Sequence, residues 1–464
     1  MLLTLRPELG KSLYEQIYLA LKEEILQGHL QPGEKLPSKR GLAEQLQVSV
    51  ITVENAYGQL QAEGYLQTRE RRGYFVAQLD SMPGCPREKT ETRAELPPPV
   101  YRMDFQSRNI RTEQFPFTVW ARIMRSVLLQ QDTKLLQPLR YNGVLQLRQA
   151  IAEDLRENRG IAADPQQVIV GAGTEYLQQL MIQLLGREKI YAVEDPGYPK
   201  TGWIYEKNGI SCRHIPLQGG ALPVKFLLQE KVSVVHISPS HHFPTGTVMP
   251  IRQRQELLRW AGDGQERYII EDDYDSEFRF VGRPIPALFS TDRQDKVIYM
   301  NTFSKTIAPS MRISYMILPW PLLDRFQKEL SFYACTVPSF EQYTLAEFIS
   351  GGYFQRHISR MKKLYRQQRD AVIAAIRQSR LSRRCTIREE DAGLHFLLEL
   401  DTQIPDEELK KKALTRGIRL SFLSDYQRFA GSQSQHLLVI CYSGIDTALL
   451  PEILEELAFL LDKE

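Results

Sequence analysis

Lys305 lies in the stretch from Val297 to Pro319, VIYMNTFSKTIAPSMRISYMILP, just past an apolar, β-prone run from Val297 to Met300. The carboxyl edge of an open α/β sheet is where such folds bind ligands. A lysine amine at that edge can form a Schiff base with an aldehyde cofactor. Ser304 beside it and Arg312 seven positions on add a hydroxyl and a guanidinium, both suited to a phosphate. A lysine in isolation is more often a solvated surface residue, so the argument depends on its companions.

Four further apolar runs end in residues that can do chemistry. Val168 to Val170 leads into Gly171-Ala172-Gly173-Thr174 and the helical run EYLQQLMIQLL. Strand, glycine turn and helix N-terminus together make a phosphate cradle of backbone amides and helix dipole. Ile190 to Val193 leads into Glu194-Asp195-Pro196-Gly197-Tyr198, which brings an aromatic ring to the same edge. Val232 to Ile237 leads into SPSHHFPTG, where His241 and His242 are adjacent on a turn. Neighbouring histidines rarely share one ion and these have no companion ligands nearby, so no metal is expected. Arg267 to Ile270 leads into Glu271-Asp272-Asp273-Tyr274-Asp275, which alone would be an acidic loop or a Mg²⁺ site. Together these are the parts needed for pyridoxal 5′-phosphate. The cradle takes the phosphate, the aromatic ring covers the pyridine, and the lysine takes the aldehyde. A carboxylate keeps the ring nitrogen protonated, and a tyrosine hydroxyl two positions on meets the ring oxygen.

Positioning these groups needs a large α/β domain, and the chain has room for one. At 464 residues two to four domains are expected, and 25% charged and 42% hydrophobic residues are ordinary for a globular protein. A net charge of +3 is too small to imply a nucleic-acid partner by itself. The five cysteines, Cys85, Cys212, Cys335, Cys385 and Cys441, form no C-x-x-C pair and read as reduced thiols of a cytoplasmic protein. The N-terminus lacks the apolar core of a signal peptide, and no run reaches membrane-span length, so no membrane partner is expected.

Ahead of the α/β texture, residues 12 to 77 predict a separate unit. Leu13, Ile17, Leu21, Ile25 and Leu26 follow helical spacing, and Gly28 closes that helix. Ser38 caps a second helix with Leu42, Ala43 and Leu46 inward; after Gln47-Val48-Ser49, Ser49 caps a third with Ile51, Val53, Ala56, Tyr57 and Leu60 as its apolar residues. Helices joined by so short a turn make a helix-turn-helix. YLQTRERRGYFVA then predicts a hairpin wing with a charged tip. Acids dominate the first helix, whereas Lys35, Lys39, Arg40, Arg69, Arg71 and Arg72 gather at the helix-turn-helix entrance and the wing, where phosphates would lie.

On the runs PGEKLPSKRGLAEQLQVS and TVENAYGQLQAEGYL, this unit resembles the GntR family of bacterial repressors. The resemblance implies DNA contacts by Ser38, Arg40, Ser49, Thr52 and Gly73. Lys39, Arg71 and Arg72 join them on charge. The family usually has an arginine directly after the cap serine, whereas this chain has Val50, which could meet a thymine methyl instead. Residues 78 to 100 are polar, end in three prolines and predict a linker.

From about Met103 the chain resembles a fold-type I aminotransferase, on VIVGAGTEYLQQL, VEDPGYP, SPSHHFPTG, IIEDDYDSEFR and NTFSKTIAPSMRISYMILP. The whole chain thus resembles MocR/GabR-type transcriptional regulators: a winged helix-turn-helix (1–77), a linker (78–100) and an aminotransferase-like domain with large and small lobes (101–464). The resemblance implies that Lys305 holds the cofactor as a Schiff base, Asp272 pairs with the pyridine nitrogen, Tyr274 bonds the phenolic oxygen and Tyr198 covers the ring. Ala172, Gly173, Thr174, Ser304 and Arg312 would hold the phosphate, joined by Thr302.

Aminotransferases usually clamp a substrate carboxylate with an arginine in a C-terminal R-x-x-x-S segment. Here that run is HLLVICYSG, and Val439 takes the position. Arg419, Arg428 and Lys200 are the neighbouring candidates, and Asp425 lies in a loop that could point a negative charge inward. The expected function is a cytoplasmic, homodimeric, pyridoxal-phosphate-dependent regulator that binds an operator and senses an amine, an amino acid or the cofactor. No net turnover is expected, with an aminotransferase half-reaction left open; the alternative is a working aminotransferase with a tethered DNA-binding domain.

Overall fold

The structure is a computed structural model that describes residues 11–70, 72–78, 99–106, 112–130, 132–218, 222–280, 285–391, 393–429 and 435–462. Arg71 and residues 79–98 of the expected linker lie outside the described residues. The chain divides into two units, Met1–Pro98 and Pro99–Glu464.

In the first unit, α1 (Leu13–Leu26), α2 (Lys39–Leu46) and α3 (Val50–Ala62) precede a hairpin of β1 (Leu66–Arg69) and β2 (Gly73–Val76). Glu15 accepts the Ser12 backbone N–H at 3.1 Å, closing the open first turn of α1. Ser38 and Ser49 accept the N–H groups of Gly41 and Thr52, at 3.0 and 3.1 Å. Ile17, Leu21, Leu42, Val53, Ala56, Tyr57 and Leu60 close one core with Leu66 and Val76. Leu13, Leu26 and Ile51 keep helical spacing yet stay exposed, because they flank the buried arc or sit in a terminal turn.

The second unit carries β3 (Met103–Asp104), β4 (Val168–Gly171), β5 (Ile190–Asp195), β6 (Ser211–Pro216), β7 (Val234–Ile237), β8 (Tyr268–Asp272), β9 (Val297–Thr302) and β10 (Ser314–Ile317). Seven of these form one sheet in the order β4-β10-β9-β8-β7-β5-β6. β10 runs antiparallel to both neighbours, and the other pairings are parallel. The strands are mostly apolar because helices cover both faces, whereas the edge strand β6 is polar and half exposed. Val168, Val170 and Tyr299 pack with helices Phe117–Leu129, Leu145–Arg159 and Ser339–Ser350. Ile169, Ile298 and Met300, one residue out of step, pack with Thr174–Leu185 and Trp320–Glu329. The expected third strand starts at Val234 rather than Val232, and the lysine strand runs on to Thr302.

The small lobe follows helix Tyr353–Gln378. β11 (Cys385–Arg388), β12 (His395–Leu400) and β14 (Leu437–Cys441) make an antiparallel sheet covered by helix Leu450–Leu461. The expected strand from Gly417 to Phe422 shortens to β13 (Ile418–Arg419), which pairs with β3 instead of joining that sheet. No helix among the described residues is long and apolar enough to cross a membrane.

A buried ion pair fixes the end of β8. Arg159, the last residue of its helix, lies 2.5 Å from Asp273, and both side chains are almost fully enclosed, at 6% and 1% exposure. Asp273 also accepts the Tyr299 and Ser276 hydroxyls at 2.7 and 2.9 Å, and Arg159 donates to the Ile285 carbonyl at 3.0 Å. Removing one partner of such a pair strands the other charge in a poorly solvated site. Arg159→Met is therefore expected to lower stability by about 3–5 kcal/mol, read from the shift of the urea transition. A loss below about 1 kcal/mol would show that Asp273 is held there by its hydroxyl donors without need of the guanidinium.

Candidate cofactor site and nucleic-acid face

The carboxyl ends of β4, β5, β7, β8 and β9 meet at one edge of the sheet, over a cleft of about 330 Å³. Because β10 is antiparallel, its start lies at that same edge and brings Arg312 with it. Of the residues expected from sequence, Thr174, Tyr198, Asp272, Tyr274, Thr302, Ser304, Lys305 and Arg312 line the cleft. Ala172 and Gly173 stand behind the lining. The Ala172 N–H donates to the Thr336 hydroxyl at 3.0 Å and the Gly173 N–H to the Gly171 carbonyl at 2.9 Å. Gly173 has φ +94°, which strains any residue with a side chain, and a Cβ there would come within 2.2 Å of the Arg312 guanidinium and push it aside. Arg312 itself has φ +50°, an uncommon conformation for a residue with a side chain.

The cleft fits a phosphorylated pyridine. Asp272 Oδ1 and Ser304 Oγ are buried and have no hydrogen-bond partner among the described residues. Buried polar atoms without partners are rare, and these two suit a ring N–H and a phosphate oxygen. Thr302 Oγ1 accepts the Ser304 N–H at 3.1 Å and the Ser314 hydroxyl at 2.8 Å, which orders the turn before Lys305. Arg312 is paired with Glu175, which Lys200 also engages.

Several groups around the cleft were missed by the sequence argument. His236 Nε2 lies 3.7 Å from Asp272 Oδ2, beyond hydrogen-bond range, while its Nδ1 is 2.7 Å from the Tyr205 hydroxyl, so a buried imidazole fixed by the tyrosine backs the carboxylate. Glu194 lines the cleft and accepts the Ser238 N–H at 3.0 Å. Burial pushes its carboxyl up to about 8. His242 Nε2 is 3.4 Å from Glu194, and burial pushes this imidazole down to about 3. His241 faces a different carboxylate, Asp275, at 3.0 Å, and the Tyr274 hydroxyl lies 3.2 Å from the same ring nitrogen. The one signal in the sequence was the clustering of these residues at strand ends.

Other expectations need correcting. Asp425 does not point a charge inward: it accepts the Phe422 N–H at 2.9 Å and pairs with Lys410. Arg419, Arg428 and Lys200 do not line the cleft. Arg419 pairs with Asp104 at 3.4 Å, and Arg428 reaches Glu206 at 3.6 Å.

In the first unit, Ser38, Arg40, Ser49, Arg69 and Arg72 are exposed along the start of α2, the start of α3 and the wing. Thr52 is half-buried and shares a 2.7 Å hydrogen bond with the Ser49 hydroxyl. Lys39 is paired with Glu54 and sits over the Tyr74 ring, so it is more engaged than charge clustering suggested. Gly73 turns the wing at φ +103°. Val50 and Ile51 are 41% and 68% exposed among these cations.

Glu194 gives a pH prediction. With its folded value raised, the native state holds a proton that the unfolded chain releases, so stability falls as pH rises from about 4.5 to about 8. His242, with its folded value lowered, acts oppositely between about 3 and 6.5, which leaves the Glu194 limb least offset above 6.5. The melting temperature of the protein without added ligand is expected to fall between pH 6.5 and 8. Burial also pushes Glu271 and Glu277 up to about 7, which adds to the limb below that pH, so Glu194→Gln should flatten the part between about 7 and 8, and an unchanged slope there would assign it to other groups.

The model of bacterial regulatory proteins of the gntR family matches residues 13–76, and that of aminotransferase class I and II matches residues 102–457. The HTH-type transcriptional regulator YdeL of Bacillus subtilis is 42% identical over 88% of this chain and 88% of its own. The probable rhizopine catabolism regulatory protein MocR of Rhizobium meliloti is 33% identical, covering 95% and 92%. The pyridoxine biosynthesis regulator PdxR of Corynebacterium glutamicum is 29% identical, covering 98% and 97%. Among solved structures, kynurenine aminotransferase of Pyrococcus horikoshii shares the fold at TM-score 0.68 and 22% identity, over 78% of this chain and 91% of that one. The chain belongs to the MocR type of transcriptional regulator, in which a gntR-family helix-turn-helix region is joined to an aminotransferase class I and II domain.

Proposed function

We propose that this regulator binds pyridoxal 5′-phosphate in the cleft at Lys305 and there senses a small primary amine, and that the signal changes its hold on an operator. The observation that carries this is the pair of partnerless oxygens, Asp272 Oδ1 and Ser304 Oγ, in the same cleft as Lys305 and Arg312. When bound, the cofactor supplies an electrophilic carbon and an electron sink. Lys305 holds its aldehyde carbon. Asp272, backed by His236, would keep a proton on the ring nitrogen, Tyr274 would meet the ring oxygen and Tyr198 would cover the ring face. The turn Ala172-Gly173-Thr174 with Thr302, Ser304 and Arg312 takes the phosphate. The two regulators named for rhizopine catabolism and pyridoxine biosynthesis support a small-molecule signal of this kind.

The working unit is a homodimer that presents two helix-turn-helix regions to two half-sites. Exposed apolar side chains on the large lobe, Phe117, Leu129 and Leu136, support cover by a second copy. In each DNA-binding region, Ser38, Arg40, Ser49, Thr52, Arg72 and Gly73 meet DNA, and Lys39 and Arg71 add charge.

Cofactor binding is tested by borohydride fixation and peptide mass spectrometry together with visible absorption. Wild type is expected to carry the fixed group on Lys305, Lys305→Ala to carry none, and Arg312→Ala to bind the cofactor roughly ten- to hundredfold more weakly. Absence of any fixed group in wild type sinks the reading. Sustained release of keto acid from an amino acid would make the protein an aminotransferase with a DNA-binding region attached.

Val50 and Ile51 make the sequence preference testable. An exposed apolar pair at the start of a helix framed by cations suits thymine methyls in the major groove. Operator DNA selected from a random pool is expected to lose about fourfold in affinity for each contacted thymine replaced by uracil, which lacks the methyl. Val50→Ala and Ile51→Ala should each reduce that sensitivity. Equal affinity for the thymine and uracil forms would leave the pair without a role in base reading.

A further inference from the structure

We infer that the small-lobe side of the cleft takes a primary amine with an uncharged, apolar body and excludes amino acids. This rests on the cofactor reading above and concerns what lies beyond the cofactor. Among the described residues, Lys305 and Arg312 are the cationic side chains that line the cleft, and the proposed function engages both with the cofactor. The carboxylates that line it are Glu175, Glu194, Asp272 and Asp275. With both cations engaged by the cofactor, a ligand carboxylate reaching the small-lobe wall meets no cation, and an unpaired buried carboxylate is strongly disfavoured.

The neighbouring cations are committed elsewhere. Arg419 lies against Asp104 and over the Tyr101 ring, Arg428 reaches Glu206, and Lys200 is paired with Glu175. At Val439, where an aminotransferase would carry its carboxylate-binding arginine, the side chain is fully buried and packs with Phe243, Leu397, Tyr426 and Cys441. The wall beyond it is Phe243, Leu394, His395, Cys441 and Ser443. His395 Nε2 lies 3.1 Å from the Pro244 carbonyl oxygen, and its ring centroid lies 5.1 Å from that of Phe243, edge-on, and 4.9 Å from that of His241, tilted. That imidazole is therefore already engaged through its Nε2–H and by both rings. An amine with an alkyl or aryl body meets this wall by apolar contact.

The test uses the full-length protein loaded with pyridoxal phosphate and matched pairs that differ by one carboxylate. These are pentylamine with norleucine, 2-phenylethylamine with phenylalanine, and pentylamine with 6-aminohexanoate. Binding is read by calorimetry and by the change in visible absorption, and signalling by the change in affinity for selected operator DNA. Each amine is expected to bind at least tenfold more tightly than its carboxylated partner. Affinity should rise roughly fourfold per methylene from propylamine to pentylamine.

Carboxylated partners that bind as well or better would overturn the inference while leaving the cofactor reading intact, as would a loaded protein that answers to neither member of any pair. Failure to load the cofactor at all would overturn the cofactor reading and this inference with it. Val439→Arg restores the missing cation and Cys441→Arg places one at the cleft wall; both side chains are buried in one core, so if neither variant folds the matched pairs on the unaltered protein decide the question. In whichever of the two folds, the amine preference should shrink at least threefold. An unchanged preference would mean that carboxylates are excluded for some reason other than the missing cation, and would overturn the argument.

Discussion

β10 enters the sheet in the opposite sense to its six companions, between β4 and β9. Its first residue, Ser314, therefore lies where β4 and β9 end, paired with Gly171 on one side and Thr302 on the other. That register brings the glycine turn after β4 to the same point as the hydroxyl turn before Lys305 and Arg312, which lie more than 120 residues further along the chain. A parallel strand in the same slot would carry Arg312 to the opposite edge, and the anion site would have no guanidinium. The left-handed backbone of Arg312 and the bare face of Gly173 are local costs of that convergence, tolerated because the surrounding sheet is apolar and closed on both faces.

A second constraint keeps the acids of the β8 end apart. Glu271, Asp272, Asp273 and Asp275 lie within five positions, and four like charges left in one place would repel. The fold sends each to a different partner. Glu271 accepts the Leu288 and Phe289 N–H groups, Asp273 takes Arg159, and Asp275 takes His241. Asp272 is left facing the cleft, with His236 behind it. Strand alternation does part of this sorting, since successive side chains point to opposite faces. The partners come from four other segments, and they make Asp272 the carboxylate available to a ligand.

Much of this was legible in the sequence because the signals were local. Apolar runs ending in glycine, acid or lysine marked the strand ends, and the cap serines marked both helix starts of the helix-turn-helix. Arg312 was legible because only one short turn separates it from Lys305. What stayed hidden depends on contacts across the sheet. Nothing near His236 announces that it backs Asp272, and nothing in VEDPGYP announces that Glu194 holds a proton beside His242. Asp425 looked like an inward charge because its loop neighbours a strand end, and Lys410, fifteen residues before it, neutralises it instead. Ile51 shows the limit of periodicity, since spacing alone does not separate the turn facing the core from the turn facing outward.

The cleft is built from two lobes, and this sets what a ligand can do. The groups suited to the cofactor, from Thr174 to Arg312, belong to the large sheet, whereas Leu394, His395, Cys441 and Ser443 come from the small lobe. A ligand that touched only the large sheet would bind equally well whatever the position of the small lobe, and equal affinity for two states shifts neither. A signal therefore has to come from a molecule long enough to reach the small-lobe wall while held near Lys305. The Phe243 ring marks the junction, since it packs on Tyr426 and His395 and faces the Tyr198 ring from the large lobe. A body that wedges beside Phe243 must either fit the present spacing of those rings or change it. Steric bulk at that position is thus where binding energy can become a change in lobe arrangement.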